Sequence, residues 1–116
     1  MVSKLPIDDA LVRACEKVIA QAERLPAADY ANIGEWRTQG MVVAGMTAGL
    51  TIASAGVMPK TYEALRELSN FANAMPAVLD AEHSSTSRPI EGSATRRNQE
   101  WRGLIQATKS ALKARE

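Results

Sequence analysis

The side chains with the greatest chemical potential in this sequence are few and far apart. The chain contains one histidine, His83, and one cysteine, Cys15. His83 stands beside two serines with no second histidine to share a metal, and Cys15 falls on the apolar side of a predicted helix. A cysteine in such a position is more typical of a small core residue than of a nucleophile. Neither residue predicts a catalytic centre.

Carboxylates occur as near neighbours at two places, Asp8 with Asp9 and Asp80 with Glu82. The first pair suits the positive end of a helix, and the second suits a helix surface. The sequence contains no paired-cysteine zinc spacing, no P-loop, no GxGxxG and no GxSxG motif. We therefore expect a protein that is not an enzyme and that has no catalytic residue, no metal site and no cofactor.

Positive charge is concentrated in the last quarter of the chain. Residues 1–87 carry seven Lys/Arg and ten Asp/Glu, whereas residues 88–116 carry seven and three. Lys and Arg near the C-terminal end of a helix stabilise its dipole without a ligand, but Arg96 and Arg97 lie at the positive end of the last predicted helix. A solvated helix face is the alternative interpretation of this charge. The candidate contacts to a nucleic-acid backbone are the five basic residues Arg96, Arg97, Arg102, Lys109 and Lys113.

Two helices are predicted in the first half of the chain. Apolar residues three and four apart indicate an amphipathic helix that ends near Pro26. A second helix is expected from about Tyr30 to Ala55, where Gly40 weakens the helical propensity and could interrupt it. The stretch "LTIASAGV" also alternates in the manner of a strand, which leaves a β interpretation open.

Two further helices complete the predicted architecture. One begins at Pro59 and is expected to end or kink at Pro76, and the other runs through the basic C-terminus. The aromatic content of 4% is low, which favours helices over a β-sandwich. We predict an all-α fold, a compact bundle of four to five helices in one domain, residues 1–116, with a flexible loop at about 83–95.

The cysteine count and the N-terminus suggest a compartment. A single cysteine cannot form an intrachain disulfide, which suits a reducing environment. The N-terminus reaches Asp8 and Asp9 before any apolar run, so it lacks the apolar region of a secretory signal. These features predict a cytoplasmic protein.

The segment Met41–Met58 has no charged residue, which raises the question of a membrane span. Ten of its eighteen residues are Ala, Gly, Thr or Ser, which contribute little to membrane insertion. A helix without charge is usually buried, and so short a chain has few other helices to cover it. We therefore predict that another protein subunit covers part of this helix. The predicted protein interface consists of Val42, Gly45, Met46, Gly49 and Leu50.

Several stretches together carry a resemblance to a known family: "YANIGEW", "AGVMP", "YEALREL" and "NQEWRGLIQATKSALKAR". In pattern the chain resembles the small helical subunits of multi-subunit CRISPR effector complexes. The resemblance implies a non-catalytic assembly subunit of an antiviral ribonucleoprotein, with other subunits or copies of itself as partners and a basic patch on RNA or DNA. The acidic balance of residues 1–87 departs from that pattern.

Two other functions are compatible with the sequence. One is a small phage-type or bacterial helical adaptor or inhibitor that binds only a protein partner. The other is a single-span membrane or lysis protein, which the many small residues of Met41–Met58 argue against.

Overall fold

The computed structural model describes residues 9–84 and 93–114, which form helices joined by short connections. The elements in chain order are α1 (Asp9–Glu23), a 3₁₀ turn (Tyr30–Asn32), the single turn α2 (Ile33–Glu35), a π turn (Trp36–Gly40), α3 (Met41–Ser54), α4 (Pro59–Ser84) and α5 (Ser93–Ala114). The predicted all-α bundle is confirmed. The strand interpretation of "LTIASAGV" is wrong, because this stretch lies in α3 and the turn that follows it.

The helices pack as an antiparallel bundle. Helix α3 packs chiefly on α4, α4 packs on α5, and α1 lies against both α3 and α5. Arg37 pairs with Asp80, while Ser69 donates to the carbonyl of Ala44, so α4 runs opposite to the helical run that leads through α3. Short connections between consecutive helices favour this up-and-down arrangement.

The core is built from the inward faces of α1, α3, α4 and α5 around an aromatic cluster. Trp36 is fully buried, and its ring centroid lies 5.1 Å from that of Trp101 and 6.2 Å from that of Phe71, both in edge-on geometry. Such pairs add about 0.5–1.5 kcal/mol beyond the burial of their area. The prediction that Cys15 is a core residue is confirmed, because it is buried, and Trp101 is buried as well.

The run from Tyr30 to Ser54 is not interrupted at Gly40 but widens there into the π turn. A Cβ at Gly40 would lie 3.2 Å from Cε3 of Trp36 and 3.5 Å from the carbonyl oxygen of Ala72. Glycine at this position therefore lets the π turn approach the backbone of α4 and the buried indole closely.

Pro76 does not end its helix, because α4 continues to Ser84. Proline has no N–H to donate to Ala72, four residues earlier, and this loss normally interrupts a helix. The carbonyl of Ala72 faces the neighbouring Gly40, and the buried Met75 and Leu79 pack on either side of Pro76 in sequence. Packing of the apolar face on the bundle thus outweighs the local cost of the proline.

The loop expected at about 83–95 is shorter at both ends in the described residues. His83 and Ser84 belong to α4, and Ser93 and Thr95 belong to α5. The centre of the predicted loop lies outside the described residues.

Candidate interaction surfaces

The outer face of α3 carries no charge and is exposed to solvent. The buried residues of α3 are Val43, Ala44, Thr47 and Ser54, which lie on one side of the helix. The other side presents exposed large apolar residues, of which Ile52 is 81% exposed and Val42 is 45% exposed. We call this surface the outer face of α3; it consists of Met41, Val42, Gly45, Met46, Ala48, Gly49, Ile52, Ala53 and Gly56. The described residues thus leave one side of α3 uncovered, as expected for a chain with few other helices, and its covering by another subunit stays a prediction.

Most of the predicted protein interface lies on this outer face. Val42, Gly45, Met46 and Gly49 are exposed, whereas Leu50 is half-buried and packs against the core. Sequence reasoning missed Ile52 and Met41, because it treated the whole segment as apolar without deciding which side points inward. Ile52 lies three residues after Gly49, and Met41 lies four residues before Gly45. Residues at these spacings share one side of a helix, so the spacing could have assigned both to the interface.

The glycines of the outer face pack against none of the described residues. A Cβ at Gly45, Gly49 or Gly56 would meet no atom within 4 Å. Glycine lowers helix stability by about 0.8–1 kcal/mol relative to alanine. At Gly45 and Gly49, which lie inside α3, no contact of the described residues compensates for this cost.

The inner side of α3 is held by hydroxyl groups instead of large side chains. Thr47 donates from Oγ1 to the carbonyls of Val43 and Ala44, at 2.9 and 3.0 Å. Ser69 of α4 donates to the same Ala44 carbonyl at 3.3 Å. The small hydroxyl side chains of Thr47 and Ser69, with their hydrogen bonds satisfied in this way, let α3 and α4 approach closely.

No helix within the described residues is both long enough and apolar enough to cross a membrane.

Among the predicted nucleic-acid contacts, Arg97 has a structural role that the sequence did not show. Its side chain is only 14% exposed and forms an ion pair with Glu82 of α4. Its Nε donates to the carbonyl of Ala28 at 3.1 Å. The argument that Arg97 lacks a structural explanation is therefore wrong, because these contacts join α5 to α4 and to the loop after α1.

The same loop is held by three further side chains. Asn98 accepts from the backbone N–H of Ala28 at 2.7 Å. Trp36 donates from Nε1 to the carbonyls of Pro26 and Ala27, at 3.2 and 3.3 Å. We call this group the loop clamp; it consists of Asn32, Trp36, Arg97 and Asn98, with Asn32 donating to Ala27 at 3.1 Å. A loop whose backbone groups are bonded in this way is held firmly to the bundle.

The remaining basic residues divide between the two sides of α5. Lys109 pairs with Glu23 of α1 at 2.9 Å, and both side chains are partly exposed. Arg102 is exposed and donates to the backbone carbonyl of Asn98, while Lys113 is exposed near Glu16 of α1. Acidic residues of α1 thus border the stripe that was predicted to be free for phosphates.

Arg96 is exposed and points away from that stripe. At 100° per residue it lies about 120° around α5 from Arg102. The five predicted contacts therefore do not form one surface: Arg97 is inside, Arg96 is on one side, and Arg102, Lys109 and Lys113 are on the other.

An open cleft of about 710 Å³ lies where α5 meets the end of α1 and the clamped loop. Its wall includes Leu25, Pro26 and Ile105 with the polar side chains of Asp29 and Arg102. The carboxylate of Asp29 accepts from the N–H of Tyr30, which caps the 3₁₀ turn. This arrangement gives the cleft both charges but no convergence on a single reacting atom.

The residues with nucleophilic or acid–base potential are accounted for by packing. Burial, with a smaller contribution from the carboxylate of Glu16, raises the pKa of the Cys15 thiol, which disfavours the reactive thiolate. The ring of His83 stacks on that of Tyr30, with centroids 3.6 Å apart. Within the described residues no three His, Cys, Asp or Glu side chains are grouped so that they could hold a metal ion.

Comparison with known proteins finds no family model, no curated protein and no solved structure that matches this chain. The resemblance to small CRISPR effector subunits therefore stays a prediction from the sequence pattern.

Proposed function

We propose that the protein is a non-catalytic helical assembly subunit that binds another protein surface through the outer face of α3. The observation that supports this proposal most strongly is the grouping of Met41, Val42, Met46 and Ile52, all exposed, on a side of α3 without charge. Contiguous exposed apolar patches on small domains mark interaction sites, whereas single exposed apolar residues do not.

The free energy of burying these four side chains indicates how much further contact a partner must make. Burying an exposed aliphatic side chain contributes about 1.5–3 kcal/mol, and three of these four side chains are already about half-buried. Their burial therefore contributes roughly 5 kcal/mol, while association costs about 4–15 kcal/mol. The partner must also fit the glycine positions closely and contact the surrounding surface.

The resemblance to small subunits of CRISPR effector complexes extends the proposal to a ribonucleoprotein. In such an assembly the outer face of α3 contacts a neighbouring subunit. The adaptor or inhibitor alternative uses the same face for a single protein partner, so both functions depend on the same surface.

The test compares two valines that differ in their surroundings. Val42 lies on the outer face of α3 and is 45% exposed, whereas Val78 lies on α4 and is 39% exposed. Complexes isolated by gentle purification of the tagged protein from its native source are weighed by native mass spectrometry. Val42→Lys is expected to abolish the complex, and Val78→Lys is expected to retain it. Equal behaviour of the two variants contradicts the proposal.

A second candidate function, contact with a nucleic-acid backbone, is favoured by the exposure of Arg102 and Lys113 on one side of α5, with Arg96 also exposed about 120° around the helix. Each phosphate contact to duplex DNA contributes about 0.9 to the slope of log affinity against log salt. Replacing the three residues by Ala is expected to reduce that slope by up to about 3 units.

The matched control carries the same change in charge on another helix. Arg13, Lys17 and Arg24 are exposed on and just after α1, and their replacement by Ala should leave the slope unchanged. If both triple variants lose affinity equally, only net charge matters and α5 is not the binding surface.

A further inference from the structure

We infer that the outer face of α3 binds the same face of a second copy of this chain, with the two α3 helices antiparallel about a two-fold axis. This inference rests on the proposed function, since it names the occupant of the proposed docking face. Three properties of that face support it: its charge, its shape and its position at the edge of the bundle.

The first property is the absence of charge along the whole length of the face. In a two-fold interface a surface meets its own copy, so that residue i contacts residue j and j contacts i. A charged patch in that position meets an identical charge, which is unfavourable. No charged residue occurs between Arg37 and Lys60, so two copies of α3 can meet without like-charge repulsion along this segment.

The second property is the alternation of large and small residues along one line of the helix. Met41, Gly45, Ala48, Ile52 and Gly56 follow one another at spacings of four, three, four and four. Such spacings place the four residues within α3 on one stripe of the helix, and Gly56 follows in the turn after Ser54. The stripe offers both knobs, Met41 and Ile52, and open positions, Gly45 and Gly56, where a Cβ would meet nothing.

An antiparallel pairing centred between Ala48 and Gly49 matches these knobs to the open positions. Ile52 of one copy then lies opposite Gly45 of the other, and Met41 lies opposite Gly56. Because the axis repeats each contact, every large residue on the stripe meets a glycine. A parallel pairing in register instead places Ile52 against Ile52 and Gly45 against Gly45, which leaves gaps beside the glycines.

The third property is that no other helix of the described residues covers the outer side of α3. Helix α3 contacts α1 and α4 within the chain, and its outer face points away from both. A second bundle can therefore approach without displacing a helix. Antiparallel helices also place opposite ends of their dipoles side by side, which is favourable.

Disulfide trapping at the axis tests this arrangement. Ala48→Cys places two thiols next to each other in the dimer, within the reach of a disulfide. Ala107→Cys on α5 is the control, because Ala107 is also an exposed helical alanine but lies on a different helix. Cys15 is buried in both variants and contributes no exposed thiol.

Under mild oxidation Ala48→Cys is expected to form a covalent dimer at least tenfold faster than Ala107→Cys. Adding Ile52→Lys to Ala48→Cys should remove this advantage, because the lysine places a charge against the uncharged surface around Gly45 of the second copy. Circular dichroism of each variant confirms that the helices remain. Equal rates for Ala48→Cys and Ala107→Cys overturn the inference.

Sedimentation velocity of the wild-type protein separates this inference from the proposed function. A wild-type monomer at high concentration, together with loss of a different protein partner in Val42→Lys, overturns the two-fold dimer and leaves the docking function intact. A dimer that both Val42→Lys and Ile52→Lys dissociate supports the pairing. A dimer that neither variant dissociates places the interface elsewhere and overturns it.

Discussion

In the loop clamp, the side chains of Trp36, Arg97 and Asn98 bond backbone groups of the chain itself. On the outer face of α3, the apolar side chains are exposed and no atom of the described residues approaches the open glycine positions. Both regions belong to the same bundle. The polar side chains of the loop clamp thus serve the chain's own fold, whereas the uncharged outer face is the surface proposed for contact with another molecule.

The largest effect is expected from breaking the aromatic centre that supports the clamp. Trp36→Ala removes a fully buried indole and its bonds to the loop carbonyls. Substitutions of this kind cost about 3–5 kcal/mol. Urea denaturation at low protein concentration, where association is suppressed, measures the change. Ile52→Ala, at an 81% exposed position, should change stability by less than about 0.5 kcal/mol. Similar losses of stability in Trp36→Ala and Ile52→Ala would contradict the difference drawn between the loop clamp and the outer face of α3.

A smaller loss of stability is expected when Arg97 is replaced, a residue predicted from the sequence to contact a nucleic-acid backbone. Arg97→Met removes the ion pair with Glu82 and the donor to the carbonyl of Ala28. Hydrogen bonds that involve a charged group contribute about 1.5–3 kcal/mol. Arg96→Met, at the neighbouring exposed position, is expected to stay within about 0.5 kcal/mol of wild type. The two unfolding midpoints measure this difference, and coincident midpoints would show that the clamp is not stabilising.

The glycines of α3 are expected to give changes of opposite sign in stability and assembly. Gly49→Ala should stabilise the isolated chain by about 1 kcal/mol, because a helix favours alanine and the added Cβ meets no atom. The same methyl group should weaken association, since overpacking a close contact costs about 1–3 kcal/mol. Thermal melts and sedimentation, each compared with Ala77→Gly on the exposed side of α4, measure the two effects. A gain in stability with unchanged association would exclude close packing at Gly49.

The smallest effect is expected from the buried thiol of Cys15 and depends on pH. Because burial raises the pKa of the Cys15 thiol, the folded state keeps its proton where the unfolded chain loses it. Stability should therefore be unaffected below the ordinary thiol pKa of about 8.5 and should fall as the pH rises above it. Urea midpoints between neutral and alkaline pH measure this slope, and Cys15→Ala should flatten it. An equal slope in the variant would assign the loss to other groups.

Local patterns predicted most of the helices. The apolar spacing around Val18 and Cys15 predicts which side of α1 is buried, and Pro59 marks the first residue of α4. These features depend on neighbours along the chain, which a sequence displays directly. That α4 continues beyond Pro76 was harder to predict, because the burial of Met75 and Leu79 depends on contacts with other helices.

The interaction surfaces were less predictable because they depend on contacts between distant segments. Arg97 donates a hydrogen bond to Ala28, which lies 69 residues earlier, and no local sequence pattern predicts this contact. On α3, the lack of charge drew attention to Val42 and Gly49, which are exposed, but with charged residues absent the helical period could not separate the inner from the outer side. The buried hydroxyl of Thr47 and the exposed Ile52 show that polarity alone would have reversed the choice.

The π turn at Trp36–Gly40 sets the angle around the helix axis between Trp36 of the loop clamp and the outer face of α3. A π turn accommodates one residue more than an α turn, and each residue advances a helix by about 100°. If the same five residues formed an ordinary α-helix instead, the turn would close one residue earlier. Everything before it would then rotate by about 100° relative to α3. Either Trp36 would leave the aromatic cluster or Ile52 would turn inward, so the wider turn keeps Trp36 in the core and Ile52 on the outer face.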